Sequence, residues 1–288
     1  MARSKTIKYK AGKLVRNFIK YVVLIALAFF FLFPVMFMFV SSVKNNEMQV
    51  VSDMSSLRGF VPYGDLGFKN YLDVFKEMNF GRFMFNSLLI TSVTVLAGLV
   101  FNSMLAFSLA RLHFKGQKLV LSVIVALMII PIESVVIPML LMVNQLNWID
   151  SYQVQIFPFI AEPFFIFLFY QFFIGIPHDF DEAAVVDGAS PSMIYSRIIV
   201  PLSRPVFASV LILQSMFRWN EFLWPLMVTR GEKFRPLTVA MQQFFSQDPK
   251  LWGDIFAFAS MVTLPLLILF LFFQKWFIQS VASSGIKG

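Results

Sequence analysis

From Tyr21 to Val43 the chain runs without a single charged side chain. A helix crossing bilayer hydrocarbon needs about 20 mainly apolar residues. The run also outlasts the ~7–15-residue core of a signal peptide, so it is expected to be an uncleaved first membrane helix. Five further apolar runs follow: Phe83–Ala110, Leu119–Val143, Ile156–Ile176, Pro205–Val228 and Ile255–Phe277. Lipid offers no partner for an open backbone, so each run is expected to be helical. Outer-membrane barrels would instead show segments of about 10 residues with alternating polarity. The expected fold is an all-α polytopic membrane protein with six transmembrane helices.

Composition agrees. Of 288 residues, 58% are hydrophobic and 14% charged, against roughly 45–50% and 25% in soluble domains. The absence of Cys excludes disulfides, thiolate metal sites and Cys nucleophiles. The net charge of +8 does not point to nucleic acid. Arg3, Lys5, Lys8, Lys10, Lys13, Arg16 and Lys20 all precede the first run, with no acid among them. That is the pattern of a cytoplasmic tail beside anionic lipid. The short loop Arg111–Lys118 is likewise basic, whereas Asn144–Gln155 carries Asp150 and no Lys or Arg. The positive-inside asymmetry places both termini, and residues 177–205, in the cytoplasm.

That last stretch reads PHDFDEAAVVDGASPSMIYSRIIVPLSRP over 177–205. Asp179 and Glu182 have the spacing of an N-cap and its capping partner. Asp187-Gly188 is expected to break the helix, and Ser190-Pro191 to open a second one. Ala183 and Ala184 would leave a small-residue face open to another protein's backbone, with Glu182 and Asp187 beside it to meet Arg or Lys. Read alone, Glu182 is a capping residue or a recognition residue.

The whole pattern says more. Glu182-Ala183-Ala184, Gly188, Ile198 and Pro201 match the EAA signature of the permease subunits of bacterial ABC importers, with Val200 where that family prefers Leu. Asn86-Ser87, the stretch Trp219–Pro225 and the ending Gly285-Ile286-Lys287-Gly288 further resemble carbohydrate-uptake permeases of the maltose type, in particular the shorter six-span partner. Arg218 departs from the pattern, although it stands at helical spacing from Glu221.

The resemblance implies a type I importer permease fold in the bacterial inner membrane. It implies a basic tail over 1–20, a first helix and extracytoplasmic loop over 21–81, a core domain over 82–278 and a cytoplasmic tail over 279–288. The partners implied are a second permease, two ATP-binding cassette subunits and an extracytoplasmic solute-binding protein. Glu182, Ala183, Ala184, Asp187, Gly188, Ala189, Ile198 and Pro201 would form the ATPase-coupling element. Gly285 and Lys287 would reach between the ATPase subunits. Gly231 and Pro236 would shape a projecting loop for the binding protein. Glycerol phosphate and peptide importers share the EAA element and stay open as alternatives.

This chain is not expected to be an enzyme or to hold a cofactor. A phosphate-binding loop needs G-x-x-x-x-G-K-[ST], yet Gly12-Lys13 is followed by Leu14 and preceded by Ile7 where the first Gly belongs. ATP and Mg would be bound by the partner ATPases. No metal site is expected, because His113 and His178 are far apart. Charges inside a membrane span ordinarily face protein or a pathway, so Glu133, beside the helix-breaking Pro131, and Glu162 are pathway candidates, with Asn144 at the outer end. A secondary transporter would show inverted repeats, and an intramembrane enzyme would show convergent acids with a His or metal. Neither pattern is present.

Overall fold

The computed structural model describes residues 2–77, 79–246 and 248–285. Among them the fold is helical, with no strand beyond one isolated bridge, Lys44 to Leu66. The chain divides into two compact units, Met1–Met78 with Gln247–Met261, and Asn79–Ser246 with Val262–Gly288.

The first unit opens with α1 (Ala2–Ser42), whose 41 residues span about 60 Å at 1.5 Å per residue. The most apolar part of its stretch Arg16–Ser42 has no buried residue, whereas Ser41 and Ser42 at its end are fully buried and Phe33 and Phe37 pack on the Phe60 ring. After it, α2 (Glu47–Asp53) and α3 (Lys69–Glu77) fold into a small polar cap. The cap is held by Lys44, fully buried, whose Nζ donates to Asp53 Oδ2 at 2.8 Å and to the Arg58 carbonyl at 3.0 Å. Tyr63 donates to the other Asp53 oxygen at 2.6 Å. The Glu47 carboxylate accepts the Trp252 and Gly253 amides at 2.6 and 3.0 Å, satisfying two orphan donors at a helix start.

In the second unit α4 (Phe80–Arg111), α5 (Gln117–Leu127), α6 (Ile132–Gln145), α7 (Tyr152–Ile156) and α8 (Pro163–Ile174) lead to the short α9 (Asp179–Val186) and α10 (Pro191–Ile194). Then come α11 (Val200–Leu202), α12 (Arg204–Trp219), α13 (Leu223–Val228), α14 (Leu237–Phe245) and, from Val262 on, α15 (Trp252–Gly285), whose first ten residues belong to the first unit. The core lies where α4 packs along α8 and α12, and it is aromatic. Phe165, Phe169 and Phe173 are fully buried, and Phe169 meets the Phe207 ring at 4.7 Å.

Four helices are long and apolar enough to span a membrane: Arg16–Ser42, Phe80–Arg111, Tyr152–Ile174 and Trp252–Ile278. Six result if two bent pairs each count as one span. The run Leu119–Val143 is such a pair, α5 and α6 meeting at 102° across Met128–Pro131. Pro131 cannot donate to the ladder, so the break falls where the sequence places it. The fifth run differs from expectation. No helix covers Pro205–Val228: α12 stops at Trp219, Asn220–Phe222 break the backbone, and α13 resumes at Leu223. The bent partner of α12 is instead the segment Pro191–Leu202, at 79°.

Candidate functional site

The acidic segment folds as two short helices around a sharp turn. Its start differs from the capping box expected of Asp179 and Glu182. The N-cap position is His178, whose carbonyl accepts the Asp181 and Glu182 amides, and no side chain caps the helix. Asp179, Asp181 and Glu182 all fall in the first turn, where acids complement the helix dipole. Glu182 is exposed, and among the described residues its carboxylate has no hydrogen-bond or ion-pair partner.

The turn forms as expected. Gly188 has φ +80° with nothing within 4 Å of an added Cβ. The Ala189 amide returns to the Ala184 carbonyl at 2.9 Å and the Gly188 amide to Val185 at 3.0 Å, the paired closing bonds of a Schellman motif. Ser190 then caps α10, its Oγ accepting the Met193 amide at 3.4 Å, with Pro191 at the first helical position. A five-residue π segment, Tyr195–Ile199, connects α10 to α11.

The two alanines separate. Ala184 is buried in this chain's own core beside Ile176, Ile194 and Ile199, so it closes α9 onto the body and offers nothing to a partner. Ala183 faces out with Glu182, Val185, Val186, Asp187 and Gly188. Val186 is 86% exposed, an unusual position for a β-branched residue on a polar surface helix. Ile198 is half-buried and Pro201 exposed.

Arg111 was assigned to a basic loop and is instead buried at the C-terminal end of α4. Its guanidinium donates to the Phe173 and Ile176 carbonyls at 2.6 and 2.7 Å and to Asp181 Oδ2 at 2.9 Å, with His178 Nδ1 at 3.1 Å. One side chain thus satisfies orphan carbonyls at the end of α8 and ties α9 to α4. No periodicity links Arg111 to Asp181, so only an unpaired Arg closing an apolar run hinted at it.

Gly231 and Pro236 sit on a turn fastened to the body. The buried Asn86 donates to the Lys233 and Arg235 carbonyls at 3.1 and 2.8 Å, and Gln155 donates to that of Phe234 at 2.9 Å. Ser87 accepts the Leu237 amide, and Asp150 accepts that of Arg230. Pro236 is buried, while Glu232 and Lys233 at the tip are exposed. The loop therefore projects only at its tip.

Of the intramembrane candidates, Glu133 and Asn144 lie exposed on α6, apart from Glu162. Glu162 stands at the N-cap position of α8 and is not alone. Its Oε1 lies 3.4 Å from Arg218 Nε, and Arg218 Nη2 lies 3.7 Å from Glu221 Oε2. The guanidinium stacks over Phe159 at 4.2 Å. Gly285 closes α15, and Lys287 lies outside the described residues. Among the described residues no group of three or more His, Asp or Glu is placed to hold a metal ion.

Known proteins resemble this chain over nearly its whole length. The arabinooligosaccharides transport system permease protein AraQ of Bacillus subtilis (strain 168) is 34% identical over 269 residues, covering 91% of this chain and 92% of that protein. The melibiose/raffinose/stachyose import permease protein MelC of the same organism is 32% identical over 227 residues, 78% and 82% of the two chains. The trehalose/maltose transport system permease protein MalG of Thermococcus litoralis is 29% identical over 269 residues, 92% and 94%. In fold, the chain superposes with a TM-score of 0.77 at 23% identity on the crystal structure of a bacterial ABC transporter involved in the import of alginate, covering 91% and 96%. Residues 98–283 match the model of the binding-protein-dependent transport system inner membrane component. The chain belongs to that family: it is a multi-pass inner-membrane permease subunit of an ABC importer, not an enzyme.

Proposed function

We propose that this permease imports carbohydrate, of the oligosaccharide or multiple-sugar class. Relatives named for arabinooligosaccharides, melibiose/raffinose/stachyose and trehalose/maltose, matched over most of their length, support the substrate class. In this reading the chain pairs with a second permease, above two ATPase subunits that bind ATP and Mg and beneath a solute-binding protein. A structural neighbour solved with a periplasmic protein bound is in keeping with that arrangement. The basic segment 1–20 and the tail 279–288 lie in the cytoplasm, 21–81 is the first helix and its outer cap, and 82–278 is the core. Gly231 and Pro236 shape the binding-protein loop, Gly285 and Lys287 reach the ATPases, and Glu133, Asn144 and Glu162 border the pathway.

One observation carries the coupling role. The outward face of α9 joins an unpartnered carboxylate, Glu182, to the exposed Val185 and Val186 around a rigid turn. A soluble ATPase with a cationic, partly apolar cleft is its complement. Ala183, Asp187, Gly188, Ala189, Ile198 and Pro201 build and frame this face, and Ala184 anchors it from within.

Glu182 substitutions test this reading. Because Glu182 caps nothing here, Glu182→Gln removes only a charge-assisted contact, worth roughly 1.5–3 kcal/mol. Partial loss of ATPase assembly is expected on purified complexes with Gln, and severe loss with Glu182→Lys. Full assembly and full sugar-stimulated ATP hydrolysis in both variants would refute the coupling role.

A further inference from the structure

We propose that α3 is a membrane-interface anchor, whose stripe Phe68, Leu72 and Phe75 rests in lipid at the bilayer surface where α1 ends.

The position of α3 is set by the end of α1. The 27 residues of Arg16–Ser42 rise about 40 Å, close to the ~40–45 Å of hydrocarbon plus headgroup layers. Ser42 therefore stands in a headgroup layer, and α3 is tied to it. Asn70, 5% exposed, donates to the Ser42 and Lys44 carbonyls at 3.0 and 2.9 Å, serving a carbonyl left open where α1 stops. Tyr71 Oη and Ser42 Oγ share a hydrogen bond at 2.7 Å. The segment leading into α3 is pinned to the same residues. The Gly67 amide donates to the Val43 carbonyl at 2.8 Å, the Asn45 amide to that of Asp65 at 2.9 Å, and Asn45 Oδ1 accepts the Lys69 amide at 3.4 Å. At the other end only Met78 and Asn79 separate α3 from Phe80, where the next apolar helix begins. Three Cα steps reach at most about 11 Å, so the chain itself keeps α3 beside a membrane boundary at both ends.

Spacing then sorts the helix by face. Asn70 and Val74, four apart, are buried against the cap. Phe68, Leu72 and Phe75 follow one another at i, i+4 and i+7 and are 71%, 55% and 52% exposed. At about 100° per residue they fall on the side away from Asn70 and Val74. The Phe68 carbonyl accepts the Leu72 amide at 3.0 Å, so Phe68 shares the helical register although it precedes Lys69. Lys69 and Lys76, both exposed, line one edge of the stripe, and Asp73 lies off it.

Three large apolar side chains in a row on a nine-residue helix mark an interaction surface. An apolar face with a basic edge is the pattern of a helix lying in the membrane plane. Lysines at such an edge run their stems along the apolar surface and place their ammonium groups among lipid phosphates. The stripe thus continues, at the surface, the lipid-facing side of α1. Cargo identity has no bearing on it.

Electron paramagnetic resonance on the complete importer tests the depth. The chain has no Cys, so single spin labels can be placed through Phe68→Cys, Leu72→Cys and Asp65→Cys. The importer is reconstituted in bilayers of phosphatidylethanolamine and phosphatidylglycerol, where oxygen concentrates in lipid and a nickel chelate stays in water. At positions 68 and 72 the oxygen-to-nickel accessibility ratio is expected to exceed that at position 65 at least about threefold, as for side chains ~5–10 Å into the boundary. Adding the solute-binding protein should leave it unchanged. Low accessibility to both reagents would put a protein neighbour, such as the second permease, on the stripe. A nickel-dominated signal would leave the stripe in water, and one that falls on adding the binding protein would assign the stripe to that protein. Each of these results overturns the anchor. Should the labelled position 72 variant fail to assemble, Leu72→Trp gives the same reading through quenching by brominated acyl chains. No quenching beyond that of the wild-type chain would overturn the anchor equally.

Discussion

Arg111 concentrates more structural consequence than any other single residue in the second unit. It is a buried cation whose fork serves two helix-end carbonyls and one carboxylate. Removing one partner of a buried pair strands the other, at about 3–5 kcal/mol. Arg111→Ala should therefore lower the unfolding midpoint of the purified subunit sharply. Arg111→Lys should recover only part of it, because an ammonium cannot span all three acceptors; equal midpoints for Lys and wild type would show that the fork is unimportant. In the cap of the first unit, the hydrogen bond from Lys44, then that from Tyr63, holds the Asp53 carboxyl below its ordinary value. The bond to Asp53 in turn holds the Tyr63 phenol above its own. A lowered acid contributes stability that is complete above its unfolded pKa and is lost as pH falls through the folded one. A raised phenol contributes stability that is complete below its unfolded pKa and is lost as pH rises through the folded one. Limited proteolysis of residues 44–76 should thus be slowest between about pH 4 and pH 10. Asp53→Asn should flatten the acid limb, and an unchanged profile would contradict the assignment. Gly188 and Ser190 were legible in the sequence because local spacing defines caps and turns, whereas the capping box read from Asp179 and Glu182 does not form. Arg111–Asp181 and Glu162–Arg218 were not, because their partners lie tens of residues apart and leave no periodic trace.

Among the elements, the turn at Gly188 makes the most exposed claim. A Cβ there meets open space, so any penalty for substitution comes from the left-handed backbone alone. That penalty is about 1–3 kcal/mol for a residue other than Gly, least for Asn and greatest for a β-branched side chain. Amide exchange at Gly188 and Ala189 should accelerate in the order Gly, Asn, Ala, Val. An Ala variant as protected as wild type would show that the motif is not strained. The helix start at Asp179, with His178 as its N-cap, was missed because three acids in one turn look alike to spacing rules. The break at Asn220 was missed because apolar Phe222–Val228 continues the hydropathy of α12 across it.

Across the whole molecule, four spans followed from continuous apolar length, and Pro131 marked one of the two bends. The bend before α12 lies at Ser203, between Pro201 and Pro205, which mark the entry to the fifth run but not that the segment before it joins the span. Orientation rests on charge asymmetry and is open to direct measurement, since the chain has no Cys of its own. Single cysteines at Lys115 or Ala189 should resist an impermeant thiol reagent in intact cells, and one at Asp65 should react. The reverse labelling would place α9 on the wrong side for any ATPase.

The turn over 230–237 has a consequence of another kind. Asn86 and Gln155 grip it through the carbonyl oxygens of Lys233, Phe234 and Arg235, atoms that every amino acid possesses. Its outline is accordingly indifferent to which side chains it displays. Lys233 can be exchanged without disturbing the frame that presents it, whereas Glu232 also accepts a bond from Asn79 at 2.8 Å. A grip on the main chain makes the turn a fixed mount with replaceable fittings.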